Sequence, residues 1–482
     1  MLIYDIIIVG AGPIGLATAI GLRKLGIENL LVIDQARTFR QVGQVVDLLP
    51  NGLKALKSLD FQAYEEVKKT GLEFFNQGQS SGEKTKTIQE QKPSKASSEW
   101  VTRNLQGQRI SAISLKYDDW FKDYGEGRVP IPWYDLQTTL RNQLPQNQVK
   151  ANHRCINIVD EPENGCVRID CLSNIEAEAN PYAYWADGQK GNDTQPQNSD
   201  TAPQEKSLRA KLVVAADGIN STVRRVLYAN SQYHAFAKPE YSGFTAVSCM
   251  EITEIPNELE TELEEKFFQG SRILTISNDE ISNSTYKSNQ RMMLFLRNNL
   301  GYILHLALPL NSLQGKAGNA LVDLALQELE KADFPDVLQQ LVRKSPPDNM
   351  LQRPYYIHHA TVSDSVQHPG VIPPAWSQGR IVLVGDAAHG MPPFMAQGAN
   401  QGFEDALLIA RLIANIAQKN NWDDMQAIAK AFEKYESLRR PLIAYVQQAT
   451  LTRSPLSSDE KRLDYNQQIY CRNFEQVMEA LL

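Results

Sequence analysis

The stretch Gly10-Ala11-Gly12-Pro13-Ile14-Gly15 follows an apolar run from Ile3 to Val9, and Asp34 comes some 20 residues after it. Glycines at this spacing do particular work. Gly10 permits a tight turn, Gly12 lets a pyrophosphate approach the backbone, and Gly15 lets a helix lie close on a strand. Pro13 is tolerated in the first helical turn, where its missing N–H would have no partner anyway. An anion then meets the unpaired N–H groups at the helix start, and Asp34 is placed for the hydroxyls of an adenosine ribose. Far downstream, "RIVLVGDAAHGMPPFMAQGANQGFEDALLIARLI" begins at Arg380. It sets a second acid, Asp386, at the tip of an apolar run, and Gly398-Ala399-Asn400 at the head of a long helical pattern. Backbone donors and a positive dipole end there suit negative charge. Asp386 as a plain helix cap and Gly398 as a plain turn remain open alternatives.

The elements around these residues read as a parallel sheet. Ile3–Val9 has the branched, wholly apolar character of a strand buried on both faces, Gly26 closes the first helix, and Leu30–Ile33 makes the second strand. Leu212–Ala216 and Ile381–Val384 have the same style, while Phe403, Ala406, Leu407, Ala410, Ile413 and Ala414 form one apolar helical face. Ligands of such sheets bind beyond the carboxyl ends of the strands, so Asp386 and Gly10–Gly15 are expected in one crevice. From Tyr241 to Leu310 the pattern turns to aromatic-rich alternation, which suits antiparallel strands. The sequence thus reads as α/β: a Rossmann-like domain with a mainly parallel sheet, plus an α+β domain with a mainly antiparallel sheet. The first is assembled from 1–75, 101–171, 210–227 and 379–440, and the second spans 228–378. Polar insertions occupy 76–100 and 172–209, and 441–482 forms a helical tail.

Bulk properties narrow the function classes. Of 482 residues, 42% are hydrophobic and 22% charged, so large cores are available. A net charge of -7 with no basic stripe argues against a nucleic-acid partner. Five cysteines without a CxxC pair suggest neither a disulfide framework nor a zinc site, and point to a reducing, cytoplasmic setting. The opening "MLIYDIIIVGAGPIG" reads as a strand and not as a targeting leader, and no run reaches the roughly 18 apolar residues of a spanning helix. Any membrane contact would be peripheral. No metal is expected. His389 has no second ligand at metal spacing and reads as a structural histidine bonding nearby backbone, and His358-His359 reads as an exposed or strand-facing pair. Tyr355, Tyr356 and Trp376 suit a pocket lining or packing equally.

Three motifs in order, GAGPIG at Gly10, "VVAADGINSTVR" ending at Arg224 and "VGDAAHGMPPFMAQGANQGFEDA" from Val384, resemble those of the aromatic-hydroxylase-like, class A flavoprotein monooxygenases. The resemblance runs from the first strand to about Arg440. It implies FAD in a GR2-type domain, with Gln35 beside Asp34 at the adenosine end and Arg40 as a further contact ahead of "VGQVVDLLPNGLKAL". It implies Asp386 on the ribitol, Pro393 and Gly398, Ala399 and Asn400 along the flavin ring, Asp217 in a motif tied to both FAD and NAD(P)H, and Gln137 approaching the cofactor from "WYDLQTTL". Trp133 stands where many members carry a basic residue, with Arg128 or Arg141 as substitutes. The implied reaction uses NAD(P)H and O2 to hydroxylate or epoxidise an apolar aromatic, quinone-like or polyene substrate through a flavin hydroperoxide. The alternatives are a flavin-dependent reductase or dehydrogenase that inserts no oxygen, and a flavin-bearing interaction protein without catalysis. The sequence singles out no catalytic side chain.

Overall fold

The protein was analysed as a computed structural model, which describes residues 2–36, 45–80, 97–173, 204–278, 290–296, 299–361, 372–453, 455 and 459–479. Arg40 and most of the two polar insertions lie outside the described residues. The chain forms two units, one of Met1–Phe74, Tyr124–Glu240 and Tyr356–Leu482, the other of Phe75–Asp123 and Tyr241–Tyr355. No described helix is long and apolar enough to cross a membrane.

In the first unit, the strand Tyr4–Val9 lies parallel between Leu30–Ile33 and Gln204–Ala215, and Ile381–Leu383 continues the parallel set beyond the latter. Ile6, Ile7, Ile8, Leu212, Val213 and Val214 are fully buried, which accounts for their unbroken apolar character. The register brings Val9 opposite both Ile33 and Ala215, and Ala215 opposite Leu383. Four strands therefore end level. The ladder continues one residue further through Gly10 N–H to Ile33 O (2.7 Å), Ala216 N–H to Val9 O (2.8 Å) and Val384 N–H to Ala215 O (2.9 Å). All three loops leave from one edge of the sheet.

The first helix, Pro13–Lys24, packs on the long helix Gly398–Gln418 through small residues. A Cβ on Gly21 would lie 3.2 Å from that of Ala410, and one on Gly402 would lie 2.6 Å from Ile14 Cδ1. The helix Pro50–Leu59 seats against the start of the long helix at Gly52, where an added Cβ would come within 2.1 Å of Asn400 Oδ1.

The second unit is a seven-stranded sheet in the order Met350–Ile357, Glu240–Ile252, Leu300–Ala307, Arg291–Leu296, Ser271–Ser277, Ser97–Arg103, Arg109–Ser114. Strands from Glu240–Ile252 to Ser271–Ser277 are antiparallel to their neighbours, whereas Ser271–Ser277 and Ser97–Arg103 run parallel. Val247, Cys249, Leu274, Ile276, Met292, Leu294, Tyr302 and Leu304 face a core shared with Leu324, Leu329, Leu338 and Leu341 of two helices, Asn319–Lys331 and Asp336–Arg343. The alternate positions form rows on the other face: Ala246, His305, Arg291 and Ser277 in one, Ser248, Ile303, Met293 and Thr275 in the next.

His358 and His359 depart from the sequence expectation, since both are buried in the first unit. Each ring has a fixed partner. His358 Nε2 donates to Ile219 O at 2.9 Å, and His359 Nε2 stands 3.4 Å from Glu240 Oε2. The His358 backbone N–H also donates to Gly390 O (2.9 Å), so one residue ties two loops together. Burial, reinforced by the nearby Arg224 guanidinium, pushes the His358 imidazole well below its usual range.

Two outcomes follow. Gly52→Ala forces Asn400 aside and is expected to cost about 1–3 kcal/mol, measured by denaturant unfolding. His358 stays neutral in the folded chain while the unfolded chain binds a proton below about pH 6.5, so its contribution is present above that pH and is lost as pH falls toward the lower folded value. Between pH 7 and 5, wild-type stability should therefore fall more steeply than that of His358→Gln, by up to about 1.4 kcal/mol per pH unit. Equal slopes would show that this ring does not stay neutral.

Candidate functional site

The glycine loop is shaped by its neighbours. Gly10 has φ +107°, and a Cβ there would sit 2.3 Å from Ala216 O, while one on Gly15 would sit 2.0 Å from Gly10 O. Gly12 is different: nothing lies within 4 Å of its would-be Cβ. The first and third glycines answer to the protein, and the middle one opens onto space. Two side chains grip the Ala11 peptide unit. Its N–H donates to Asp34 Oδ2 at 2.7 Å, and its carbonyl accepts from Gln137 Nε2 at 2.7 Å. Gln137 is buried on the helix Trp133–Arg141, so it reaches the loop itself. Asp34 also accepts the Ala36 N–H at 2.7 Å through Oδ1. Burial raises its carboxyl above the usual range against the pull of the two amides. Gln35 beside it is exposed. The first helix has Gly12 as N-cap and Pro13 in its first turn, so no side chain caps it.

The second loop is organised by Asp217 in a different way. Its carboxylate accepts Ser221 Oγ–H (2.5 Å) and the N–H groups of Thr222 (2.7 Å) and Val223 (3.2 Å), closing the start of the helix Thr222–Ala229. Burial raises the Asp217 carboxyl, with the Ser221 bond opposing. From that helix the buried Arg224 donates Nη1 to Ala387 O and Ala388 O, both at 3.0 Å. It thereby clasps the short helix Asp386–His389, and its burial brings the guanidinium down to about 10.

The third loop places Asp386 at the first position of that short helix, after a Gly385 N-cap with φ +56°. Asp386 is thus not the cap. Its Oδ1 lies 3.6 Å from where a Gly398 Cβ would be, at the head of the long helix. The long helix has Gln397 as N-cap with no side-chain cap bond. Ala399 is half-buried in its first turn, and the exposed Pro393 opens the turn Pro393–Met395 just before it. The Asn400 side chain is committed to the protein: Oδ1 accepts Leu49 N–H (2.9 Å), and Nδ2 donates to Asp47 O (2.9 Å) and Ala396 O (2.6 Å). Arg128 spends its fork on Asp47, with Nε at 2.8 Å from Oδ1 and Nη2 at 2.5 Å from Oδ2.

Beneath this loop, two acids interrupt the buried apolar side of the long helix. Asp405 accepts Gly385 N–H (2.9 Å) and His389 Nε2–H (2.6 Å) on Oδ2, and Arg439 Nε–H (2.7 Å) on Oδ1. His389 therefore bonds a carboxylate and not nearby backbone, because Asp405 reaches it first. Burial pushes Asp405 up, but His389 and Arg439 overcome it and hold the carboxyl at about 2. Sequence reasoning passed over Arg224, Glu404, Asp405 and Arg439 as supports. Adjacent acids inside the apolar pattern of 403–414 were the available signal. Among the described residues, no three His, Cys, Asp or Glu side chains form a metal-binding group.

The arrangement suits a long ligand with an anionic middle. Two helix starts without side-chain caps, an open glycine and two carboxylates share one sheet edge, a set of donors and acceptors that fits an elongated dinucleotide such as FAD. Comparison with known proteins agrees. Residues 184–450 match the family described as FAD binding domain. The chain is 24% identical over 469 residues to the phenazine 1,6-dicarboxylic acid hydroxylase PhzS of Lysobacter antibioticus, covering 93% of this chain and 89% of that protein. It is 23% identical over 461 residues to the 6-hydroxynicotinate 3-monooxygenase of Bordetella bronchiseptica, covering 94% and 92%. Among solved structures, a salicylate hydroxylase substrate complex matches with a TM-score of 0.62 at 16% identity over 100% of this chain and 98% of that one. Klebsiella pneumoniae HpxO complexed with FAD and uric acid matches with 0.57 at 16% identity, over 99% and 95%. The chain belongs to the FAD-binding-domain family of class A flavoprotein monooxygenases.

Proposed function

We propose that this protein is a monooxygenase that consumes NAD(P)H and O2 to hydroxylate or epoxidise an aromatic or similarly flat, largely apolar organic substrate. The observation that carries this reading is the meeting of Gly12, Asp34, Asp386 and the head of the long helix at one sheet edge. FAD, held by these residues and reduced by NAD(P)H, would supply the activation of O2, one atom of which enters the substrate while the other leaves as water. The chain's own residues bind and orient. Gly10, Gly12, Pro13 and Gly15 present the first helix start to the pyrophosphate. Asp34, with Gln35 and Arg40 near it in sequence, serves the adenosine end, and Gln137 keeps the Ala11 peptide in place. Asp386 accepts ribitol hydroxyls, Arg224 from the helix that Asp217 closes holds its loop, and backbone N–H groups at Gly398, Ala399 and Asn400 meet negative charge on the ring edge, with Pro393 ahead of them.

The second unit supports the substrate class. On the sheet face away from its core, Arg291, His305 and Ser277 share one row, the Tyr355 hydroxyl stands 3.4 Å from His305 Nδ1, and Met293 and Ile303 fill the next row. Donors beside apolar side chains suit a ring that carries oxygen or carboxylate groups. The names of the relatives, a dicarboxylic acid hydroxylase and a hydroxynicotinate monooxygenase among them, favour the same class. Five cysteine thiols, four of them buried, suit a cytoplasmic setting.

Isotope from 18O2 should appear in product when a substrate stimulates NAD(P)H oxidation. Label from water alone, or full product yield without oxygen in the presence of another electron acceptor, would instead establish a dehydrogenase. Asp386→Ala removes a charged acceptor and is expected to weaken FAD binding about tenfold or more by fluorescence titration. Unchanged affinity and turnover would confine Asp386 to a local structural role.

A further inference from the structure

Glu404 and Asp405 are completely buried, and one guanidinium, Arg439, reaches both. Asp405 is met by both Arg439 and His389, whereas Glu404 shares only that same guanidinium and would lack a full counter-charge of its own in the interior, where uncompensated charge is costly. The balance comes from outside the segment matched to the family: Arg472, beyond residue 450, donates Nη1 to Glu404 Oε2. It lies between the helices Asp459–Tyr470 and Phe474–Glu479. The neighbouring Tyr470 fixes it in place, through a carbonyl that accepts Lys54 Nζ at 2.7 Å and a ring edge-on to Tyr124 at 5.3 Å.

Glu404 is also wired to the head of the long helix. Its Oε1 accepts Asn51 Nδ2 at 2.9 Å, and the same Nδ2 stands 3.1 Å from Oε1 of Gln397, the N-cap residue. Arg472 thus touches, through Glu404 and Asn51, the turn that presents Gly398. We infer that Arg472 is a positioning residue of the flavin site, which gives the buried Glu404 its counter-charge and so sets the reduction potential and the grip on the ring. This rests on FAD lying at Gly398 as proposed above. Reduction adds electron density to the ring, and an uncompensated carboxylate nearby opposes it.

The test measures the midpoint potential of the bound flavin by dye-coupled reduction, and FAD affinity by fluorescence, in the full-length holoprotein. Arg472→Met should shift the potential to more negative values and weaken FAD binding about tenfold, while Arg472→Lys stays close to wild type. Glu404→Gln should shift the potential the opposite way, and the double variant Glu404→Gln/Arg472→Met should return toward wild type. A merely structural Arg472 would lower the melting temperature of Arg472→Met without moving the potential, and that result overturns the inference. Shifts of the same sign in both single variants overturn it too. If Arg472→Met does not fold, the double variant must lie closer to wild type than Glu404→Gln alone; otherwise the inference falls. A wild-type protein that binds no FAD removes the underlying cofactor reading, which an unshifted potential in FAD-loaded variants does not.

Discussion

Arg439 bridging Glu404 and Asp405 is the contact on which the rest of the site depends. Through Asp405 it governs the Gly385 N–H and His389, and hence the turn that carries Asp386. Through Glu404 it governs Asn51 and the cap of the long helix. Burying ions costs several kcal/mol each, so such a group adds little net stability over well-packed apolar side chains. What it provides is direction. A carboxylate with three donors around it admits one geometry, whereas apolar packing tolerates several.

The same economy appears at the glycine loop. Asp34 and Gln137 satisfy both polar groups of the Ala11 peptide, so the backbone there is held by side chains from two separate parts of the sequence. Ser221 caps Thr222–Ala229 by accepting Arg224 N–H while Asp217 accepts those of Thr222 and Val223, and Asp424 caps Met425–Thr452 through the N–H groups of Gln426 and Ala427. The two helix starts at Gly12 and Gly398 receive no such side chain. Donors at these two starts are thus left for a ligand at the sheet edge, although Pro50–Leu59, Trp133–Arg141, Asn319–Lys331 and Asp336–Arg343 also begin without a side-chain cap.

Arg224 and His358 show how separate loops become one surface. Arg224 crosses from the second loop to the carbonyls of Ala387 and Ala388, and His358 crosses to Ile219 and Gly390. Both are buried, so each bond is made in surroundings where an unmade one would be expensive. The position of Asp386 is consequently shared among residues more than 100 positions apart in the chain, and a change in any of them is felt at its carboxylate.

Local sequence determined the parts whose physics is local. Branched apolar runs gave the buried parallel strands, Gly10 and Gly15 announced a turn and a close helix approach, and the apolar side of 403–414 gave a packed helix. The edge where Gly12, Asp34 and Asp386 meet was also legible, because parallel strands place their carboxyl ends together. Tertiary structure alone decided which polar side chains serve the ligand and which serve the fold. Asn400 and Gln137 carry bonds to partners far away in sequence, and nothing in their own neighbourhoods encodes those distances. His358 read as exposed or strand-facing, yet it is buried, with Ile219 O accepting from its ring. Arg472 had no local mark at all: its role arises when a folded chain sets its guanidinium against a carboxylate that lacks a full counter-charge, a quantity defined only once the interior is closed to water.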